Sequence, residues 1–338
     1  MKEYQPIDTP AQKEALINEF KGNLFEYLVG QLLSRHYKIE ADFTRSFGGE
    51  IRSQLTHYDH WLRVHEPDLV RQLPILAQTV IKSLIDFLPE KVSKIFVIGK
   101  SAGGSHNKSW DEADLLVQSF DLLIPISIKL CKSHAFVNTK SAGIKSFISN
   151  YFSSFSEATY FQNIINEGVE RRFENMALEL HEKAGIEFFG RFDHRWTDAG
   201  HSELPGQLPR DYNEIVVKTY YECIKDIYES FLNFKKSNEV EFIKSLLPLI
   251  GLSNPEIIQV TCFHSESGGK KYIPKGVHLL DGKSLDGKNT SIEILKLKDN
   301  ISSFEMQLFG LRLQVRVKPM NKFTSAAFKV NCSIKEIT

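Results

Sequence analysis

The nine residues from Leu122 to Leu130, Leu-Leu-Ile-Pro-Ile-Ser-Ile-Lys-Leu, constrain this chain more than any other stretch. Every position except Ser127 and Lys129 is apolar, so the run reads as a strand buried along most of its length. Side chains alternate across a strand, which puts Ser127 and Lys129 on one face. A lysine in such a strand is expensive unless a carboxylate meets it. Glu112-Ala113-Asp114-Leu115-Leu116-Val117 reads as a second short strand, joined to the first by the turn-like Ser119-Phe120-Asp121. The two form an expected ribbon with Asp114 and Lys129 at its mouth. A carboxylate and a lysine so placed are what a Mg²⁺-dependent phosphodiesterase needs: the carboxylate holds the metal, and the ammonium lies beside the scissile phosphate and its attacking water. Blander readings stay open residue by residue. Asp114 could cap a strand start, Lys129 could discourage edge-to-edge aggregation, and Ser127 could be a satisfied core hydroxyl.

Around this ribbon the pattern is mixed. Residues 10–36 read as a helix, with Thr9 as N-cap, Pro10 in the first turn and Phe20, Leu24, Leu28 and Leu32 as its apolar stripe. Asp68 to Leu88 reads as another helix, with Pro74 near its start and Pro89 ending it, in a helical insertion around 40–90. Ile95-Phe96-Val97-Ile98 is an apolar run stopped by Gly99, hence a strand, and Lys100 to Trp110 reads as a loop. Lys132 to Lys140 reads as a loop and Ala142 to Phe152 as a helix capped by Ser141. Residues 157–188 and 212–250 read as helices, with Phe189 to Arg210 as loop or linker. From about residue 251 the period changes to two. Strands are expected at 257–261, 292–295, 311–318 and 328–331, with Arg312, Gln314, Arg316 and Lys318 sharing one face.

The order helix, strand, Asp-bearing strand, Lys-bearing strand, helix resembles the PD-(D/E)xK nuclease core and, within it, the type II restriction endonucleases. Glu112-Ala113-Asp114 lies where that family has Pro-Asp, and Asp114 matches its metal-binding aspartate. Ser127-Ile128-Lys129 lies where the family has (Asp/Glu)-x-Lys, and Lys129 matches its catalytic lysine. Glu26 matches an acidic residue that many members carry on their first helix. Serine at 127 departs from the pattern, because a hydroxyl is a weak metal ligand. The missing acid would then be replaced by Glu26 or Glu112. Gly22 and Gly30 flank Glu26 by one helical turn on each side, and two glycines inside a helix cost about 1 kcal/mol each relative to alanine. Either they bare the backbone around a working carboxylate, or they serve tight helix–strand packing.

The resemblance implies an α/β fold with a restriction-endonuclease-like core, a mixed central sheet flanked by helices, and a C-terminal β-rich region. Three segments are expected: a catalytic core over 1–160, a helical region over 161–250 and a DNA-gripping β-rich part over 251–338. It also implies Mg²⁺ on Asp114, Glu26 and the Ile128 carbonyl, catalysis by Asp114, Lys129, Ser127 and Glu26, and sequence-specific hydrolysis of double-stranded DNA. Cutting both strands implies a homodimer on a palindromic site.

Two segments are candidate DNA contacts. Asn138-Thr139-Lys140 opens the expected helix, and a helix N-terminus suits phosphate. Arg316, Lys318 and Lys329 lie in the most basic polar stretch of the chain; a solvated strand face is the competing reading. Lys+Arg and Asp+Glu both number 42, so no global basic charge draws nucleic acid and a local patch must hold it. Cys131, Cys223, Cys262 and Cys332 form no Cys-x-x-Cys pair, which fits free thiols in a reducing cytoplasm. No run reaches membrane-span length, and the N-terminal residues lack the apolar core of a signal peptide. His57, His60 and His65 match no ligand spacing.

Two other functions compete. Gly103-Gly104-Ser105 followed by Glu112-Ala113-Asp114 is similar to nucleotidyltransferases, which bind Mg-nucleotide on an acidic-x-acidic strand. That fold needs a further carboxylate on a later strand, and Leu122 to Leu130 offers none. The other alternative is a non-catalytic DNA-binding protein, for which Ser127 is the best argument.

Overall fold

The computed structural model describes residues 10–99, 110, 112–254, 256–282, 285 and 291–336. The fold is mixed α/β, with two five-stranded sheets among the described residues. The chain divides into two compact units: Met1–Ala135 with Leu252–Asp286, and Phe136–Gly251 with Gly287–Thr338. These boundaries differ from the expected division at 160 and 250. The β-rich C-terminal part is not one region, because its first two strands belong to the first unit's sheet and the rest to the second's.

In the first unit, α1 (Pro10–His36), α2 (Glu40–Arg45), α3 (Gly49–His65) and α4 (Pro67–Leu84) precede β1 (Lys94–Val97), β2 (Leu115–Ser119) and β3 (Leu122–Lys132). The last two strands of the unit are β5 (Ile258–Ser267) and β6 (Lys270–Leu280), in the sheet order β1-β2-β3-β5-β6. The first three form an antiparallel meander, β5 joins β3 in parallel, and β6 folds back on β5. One sheet face carries Leu115, Val117, Ile126, Ile128, Ile258, Val260 and Cys262, in one apolar core with Phe25, Val29 and Leu33 of α1 and Leu73, Leu76, Val80 and Leu84 of α4. Helix α4 packs on β5 and β6. The segment expected as an insertion is therefore part of the core. Pro74 stands inside α4 rather than near its start, which Pro67 occupies.

The second unit opens with β4 (Val137–Gly143), followed by α5 (Phe147–Tyr151), α6 (Ala158–Ala184), α7 (His194–Asp198), α8 (Arg210–Ser237) and α9 (Glu239–Leu246). Then come β7 (Glu293–Ile294), β8 (Ser303–Leu308), β9 (Leu311–Pro319) and β10 (Phe328–Glu336), in an antiparallel sheet ordered β4-β10-β9-β8-β7. Strand β9 alternates with period two: Leu311, Leu313, Val315 and Val317 are buried, and Arg312, Gln314, Arg316 and Lys318 face the other way. Helix α8 packs against β8 and β9.

Three expectations fail here. Asn138 to Ser141 form a strand, not a helix start, because β4 pairs with β10 and the Thr139 hydroxyl donates to the Leu249 carbonyl at 2.5 Å and the Cys332 carbonyl at 3.1 Å. The helical part of 142–152 shrinks to α5 after a short 3-10 turn at Ile144–Ser146. The expected linker 189–210 contains α7, whose Trp196 is 1% exposed among Phe192, His181 and Phe323. Among the described residues no helix is long and apolar enough to cross a membrane.

Candidate active site in the first unit

Asp114 precedes β2 by one residue, where the chain bends into the sheet. Its backbone N–H donates to the Ile126 carbonyl at 2.8 Å. This fixes the residue at the strand mouth and turns its carboxylate toward β3. There Oδ2 accepts the Ile128 N–H at 2.6 Å and lies 3.5 Å from Lys129 Nζ. The carboxylate thus replaces the next main-chain partner of the ladder. In an antiparallel pair the N–H and C=O of one residue point to the same edge. The Ile128 carbonyl therefore points to the Asp114 side as well, beyond the first paired residue of β2.

Glu26 reaches the same place from α1, which packs on β1 and β3. Its Oε2 is buried. The meeting point is Gly99. A Cβ on this glycine would lie 2.7 Å from Glu26 Oε2 and 3.5 Å from Asp114 Oδ1. A side chain here would push the Glu26 carboxylate from its present place, while Asp114 Oδ1 would stand at ordinary contact distance. Gly99 is held in turn by its N–H and that of Ile98, which donate to the Asp114 carbonyl at 3.2 and 2.9 Å. Burial works against the charge on Lys129, but the Asp114 and Glu26 carboxylates outweigh it and hold the ammonium pKa above its ordinary value.

Of the two glycines beside Glu26, Gly30 serves packing and Gly22 does not. A Cβ on Gly30 would come 2.9 Å from the Phe43 ring and 3.2 Å from Leu115 Cδ2, so Gly30 lets α1 close on β2; around Gly22 there is open space. Glu112 is turned elsewhere, its Oε2 accepting from Ser253 Oγ at 2.9 Å. Since β2 begins at Leu115, Glu112 and Asp114 do not form the acidic-x-acidic strand of a nucleotidyltransferase. Gly103-Gly104-Ser105 lies outside the described residues. Of the two candidates for the missing acid, the structure brings Glu26 to Asp114.

Ser127 is 2% exposed and shares the Lys129 face of β3. The register places Gln259 opposite Ser127 and Thr261 opposite Lys129, so one buried polar strip crosses from β3 to β5. Sequence alone marks Gly99 only as a strand stop and Gln259 only as one residue of a strand, because nothing in the local pattern shows what lies beside them.

Among the described residues no group of three or more His, Cys, Asp and Glu side chains is placed to hold a metal ion. A cation beside Asp114 and Glu26 would need other oxygens to complete its shell. The donor set fits a hard cation: two carboxylates from different elements that meet at Gly99, and a backbone carbonyl of β3 that points to the Asp114 side. His57 contacts Phe20 and His65 stacks on Trp61, so neither joins a ligand set.

The other predicted residues lie in the second unit. Arg316 pairs with Asn331 and Lys318 with Lys329 across β9 and β10, all on the polar face of that sheet. No ion pair to Arg316, Lys318 or Lys329 forms among the described residues. Burial, and then the neighbouring Lys329 and Arg316 charges, push the Lys318 pKa down. Asn138 joins this face, its Oδ1 accepting from Asn331 Nδ2 at 3.2 Å. Lys140 stands opposite Cys332. Thr139 is spent on tying β4 in place.

No family model matches the chain, and neither does any curated protein or solved structure.

Proposed function

We propose that the first unit is a Mg²⁺-dependent phosphodiesterase, and that the protein is a sequence-specific endonuclease of double-stranded DNA resembling the type II restriction enzymes of the PD-(D/E)xK kind. The observation that carries this reading is the cradle around Gly99, with Glu26 Oε2 and Asp114 Oδ1 on either side and the Lys129 ammonium 3.5 Å from Asp114 Oδ2. The order of elements supports it: a helix bearing Glu26, an antiparallel meander bearing Asp114 and Lys129, and a parallel strand added beside β3.

Asp114 Oδ1, Glu26 Oε2 and the Ile128 carbonyl would hold the cation. When bound, Mg²⁺ polarises the phosphoryl oxygens and lowers the pKa of a coordinated water. Lys129 contributes a fixed positive charge beside that site, where it orients the attacking water and offsets negative charge developing on the phosphate. Asp114 has a double role. Oδ2 fixes Lys129 and the Ile128 N–H, which leaves Oδ1 for the cation. Ser127 adds a small hydroxyl to the floor and is not required for the chemistry.

The polar face of β9 and β10 suits the DNA partner. Lys318 and Lys329 are cross-strand neighbours of like charge, an arrangement unfavourable by itself and relieved by an anion. Cutting both strands of a palindromic site calls for two copies of the chain, so we propose a homodimer on DNA.

The test is incubation of a sequenced plasmid with the purified protein and Mg²⁺, with fragment ends mapped. Discrete ends at one short sequence support the proposal. Nucleotide consumption without cleavage would favour the transferase reading, and DNA binding with neither would favour a binder that keeps the core without its chemistry.

A further inference from the structure

The helices of the first unit line a cavity that the chemistry above does not use. Its volume is about 500 Å³, and it lies among α1, α3 and α4, with Thr44 of α2 and Phe47 just after it. Small-molecule sites commonly have volumes of roughly 300–1,000 Å³. None of its lining residues belongs to the Gly99 cradle. Much of the wall is apolar: Leu24 and Leu28 of α1, Phe47, Leu55 of α3 and Leu73 of α4. Three polar features interrupt it. Pro74 stands inside α4 and has no N–H to give the carbonyl of Val70, four residues earlier. Both residues line the cavity, so the side of α4 with that freed acceptor faces it. Tyr27 brings a phenol. Burial, and then the Glu40 charge, push its pKa up against the opposing charge of Arg52, so the hydroxyl stays a neutral donor. Arg52 brings a full positive charge. Its Nη2 donates to the Thr44 carbonyl at 2.8 Å, which orients the guanidinium, and no carboxylate pairs with it among the described residues. Arg63 differs, because Asp59 takes it at 2.6 and 3.1 Å and that pair brings no net charge. The lining as a whole therefore carries one positive charge.

An apolar wall with one oriented, uncompensated cation is complementary to an organic anion. We propose that this cavity binds a small molecule with an apolar ring body, one anionic group that pairs with Arg52, and one N–H or O–H that donates to the Val70 carbonyl. Covering the apolar wall supplies a driving force without direction. The two polar contacts supply the direction, and the one to the guanidinium is charge-assisted, hence the stronger. The site stands apart from the nuclease reading, since it uses none of the residues assigned to the cradle or to DNA.

Fluorescence titration of the full chain with two probes tests this apart from any activity. Anilinonaphthalene sulfonate joins an aromatic body, one N–H and one sulfonate. Phenylnaphthylamine has the same body and N–H without the charge. Thermal melting reports the fold of every variant. The parent is expected to bind both probes saturably. Arg52→Gln, at an exposed position, is expected to weaken the sulfonate by about tenfold or more and to leave the neutral amine unchanged. Pro74→Ala returns an N–H to the Val70 carbonyl and is expected to weaken both probes by about threefold to tenfold, the worth of one hydrogen bond. Thr56→Trp, which fills the cavity from an exposed lining position, is expected to abolish binding of both. The proposal falls if the folded parent binds neither probe saturably, or if Arg52→Gln does not weaken the sulfonate selectively. It also falls if folded Pro74→Ala or Thr56→Trp binds both probes as the parent does.

Discussion

Gly99 sets how closely two carboxylates from distant parts of the chain approach. An alanine there would place its Cβ 2.7 Å from Glu26 Oε2, inside van der Waals contact, and one of the partners would have to move. The carboxylate on α1 is the more displaceable, because Asp114 is pinned by the Ile128 N–H and by Lys129. Gly99→Ala is therefore expected to lower DNA cleavage by about 10²-fold, the cost of roughly 1 Å of misplacement at a reacting centre, with little change in melting temperature. Cleavage at the parent rate, with the melting temperature unchanged, would show that Glu26 is not needed where the structure puts it. The same geometry decides how to test Asp114. Removing its side chain also strips the Ile128 N–H of its partner, at about 1–3 kcal/mol. Asp114→Asn keeps an acceptor there and separates chemistry from folding.

Of the site residues, Asp114, Lys129 and Glu26 were legible in the sequence because each stands out against its own neighbours: a charge in an apolar strand, or an acid between helical glycines. Gly99 was not, because its meaning comes only from what is packed beside it. His264 is a second case. It reads as an ordinary strand residue, but it is 4% exposed, with no hydrogen-bond partner for either ring nitrogen among the described residues and the Tyr272 ring 4.9 Å away. Burial, with the nearby charges of Lys21 and Lys132 opposed by Glu266, brings its pKa down to about 4 from 6.5. The folded state then stays neutral while the unfolded chain takes up a proton. Stability is full above pH 6.5 and is lost as pH falls toward 4. Melting temperatures of the parent should drop across that window, and those of His264→Phe should drop less. Parallel curves for the two proteins would show that this histidine does not set the acid limb.

At the level of elements, local signals succeeded where an element's own residues determine it. Helix α1, strand β3 and the period-two strand β9 fall where their patterns put them. Strand β4 failed because Asn-Thr-Lys-Ser carries the composition of a helix cap, and only its pairing with β10 overrides that. Strand β6 was hidden by Pro274 and Gly276, which an edge strand tolerates because half its ladder has no partner to lose. The signal for β8 was present: Ser303 to Leu308 alternates strictly, with Phe304, Met306 and Leu308 buried.

The polar face of β9 and β10 allows a test at this scale. Lys318→Ala or Lys329→Ala should weaken binding to all duplexes and flatten the dependence of log affinity on log salt by about one unit. Arg316→Ala should cost about 1–3 kcal/mol on the cognate duplex and little on a scrambled one. The measurement is titration in Ca²⁺ at several salt concentrations. Affinities equal to the parent's for all three variants on both duplexes would make this face a solvated surface.

The whole molecule shows where sequence reading loses its grip. Composition and period divide the chain at the point where helices give way to strands. The fold divides it by which sheet each strand joins, and β5 and β6 return to the first unit after the chain has built most of the second. That return is what brings Gln259 beside Ser127. The polar face of β9 and β10 and the Gly99 cradle thus belong to different units.

The central claim is that Glu26, Asp114 and Lys129 form a hydrolytic centre for DNA. Its most direct test is the rate of plasmid cleavage in Mg²⁺ by the parent, Asp114→Asn and Lys129→Ala, at matched melting temperatures. The account predicts discrete cleavage by the parent and a loss of several orders of magnitude in both variants, with binding to the same plasmid in Ca²⁺ retained by Lys129→Ala. Cleavage by either variant at the parent rate, or none by the folded parent at its own binding site, would contradict it.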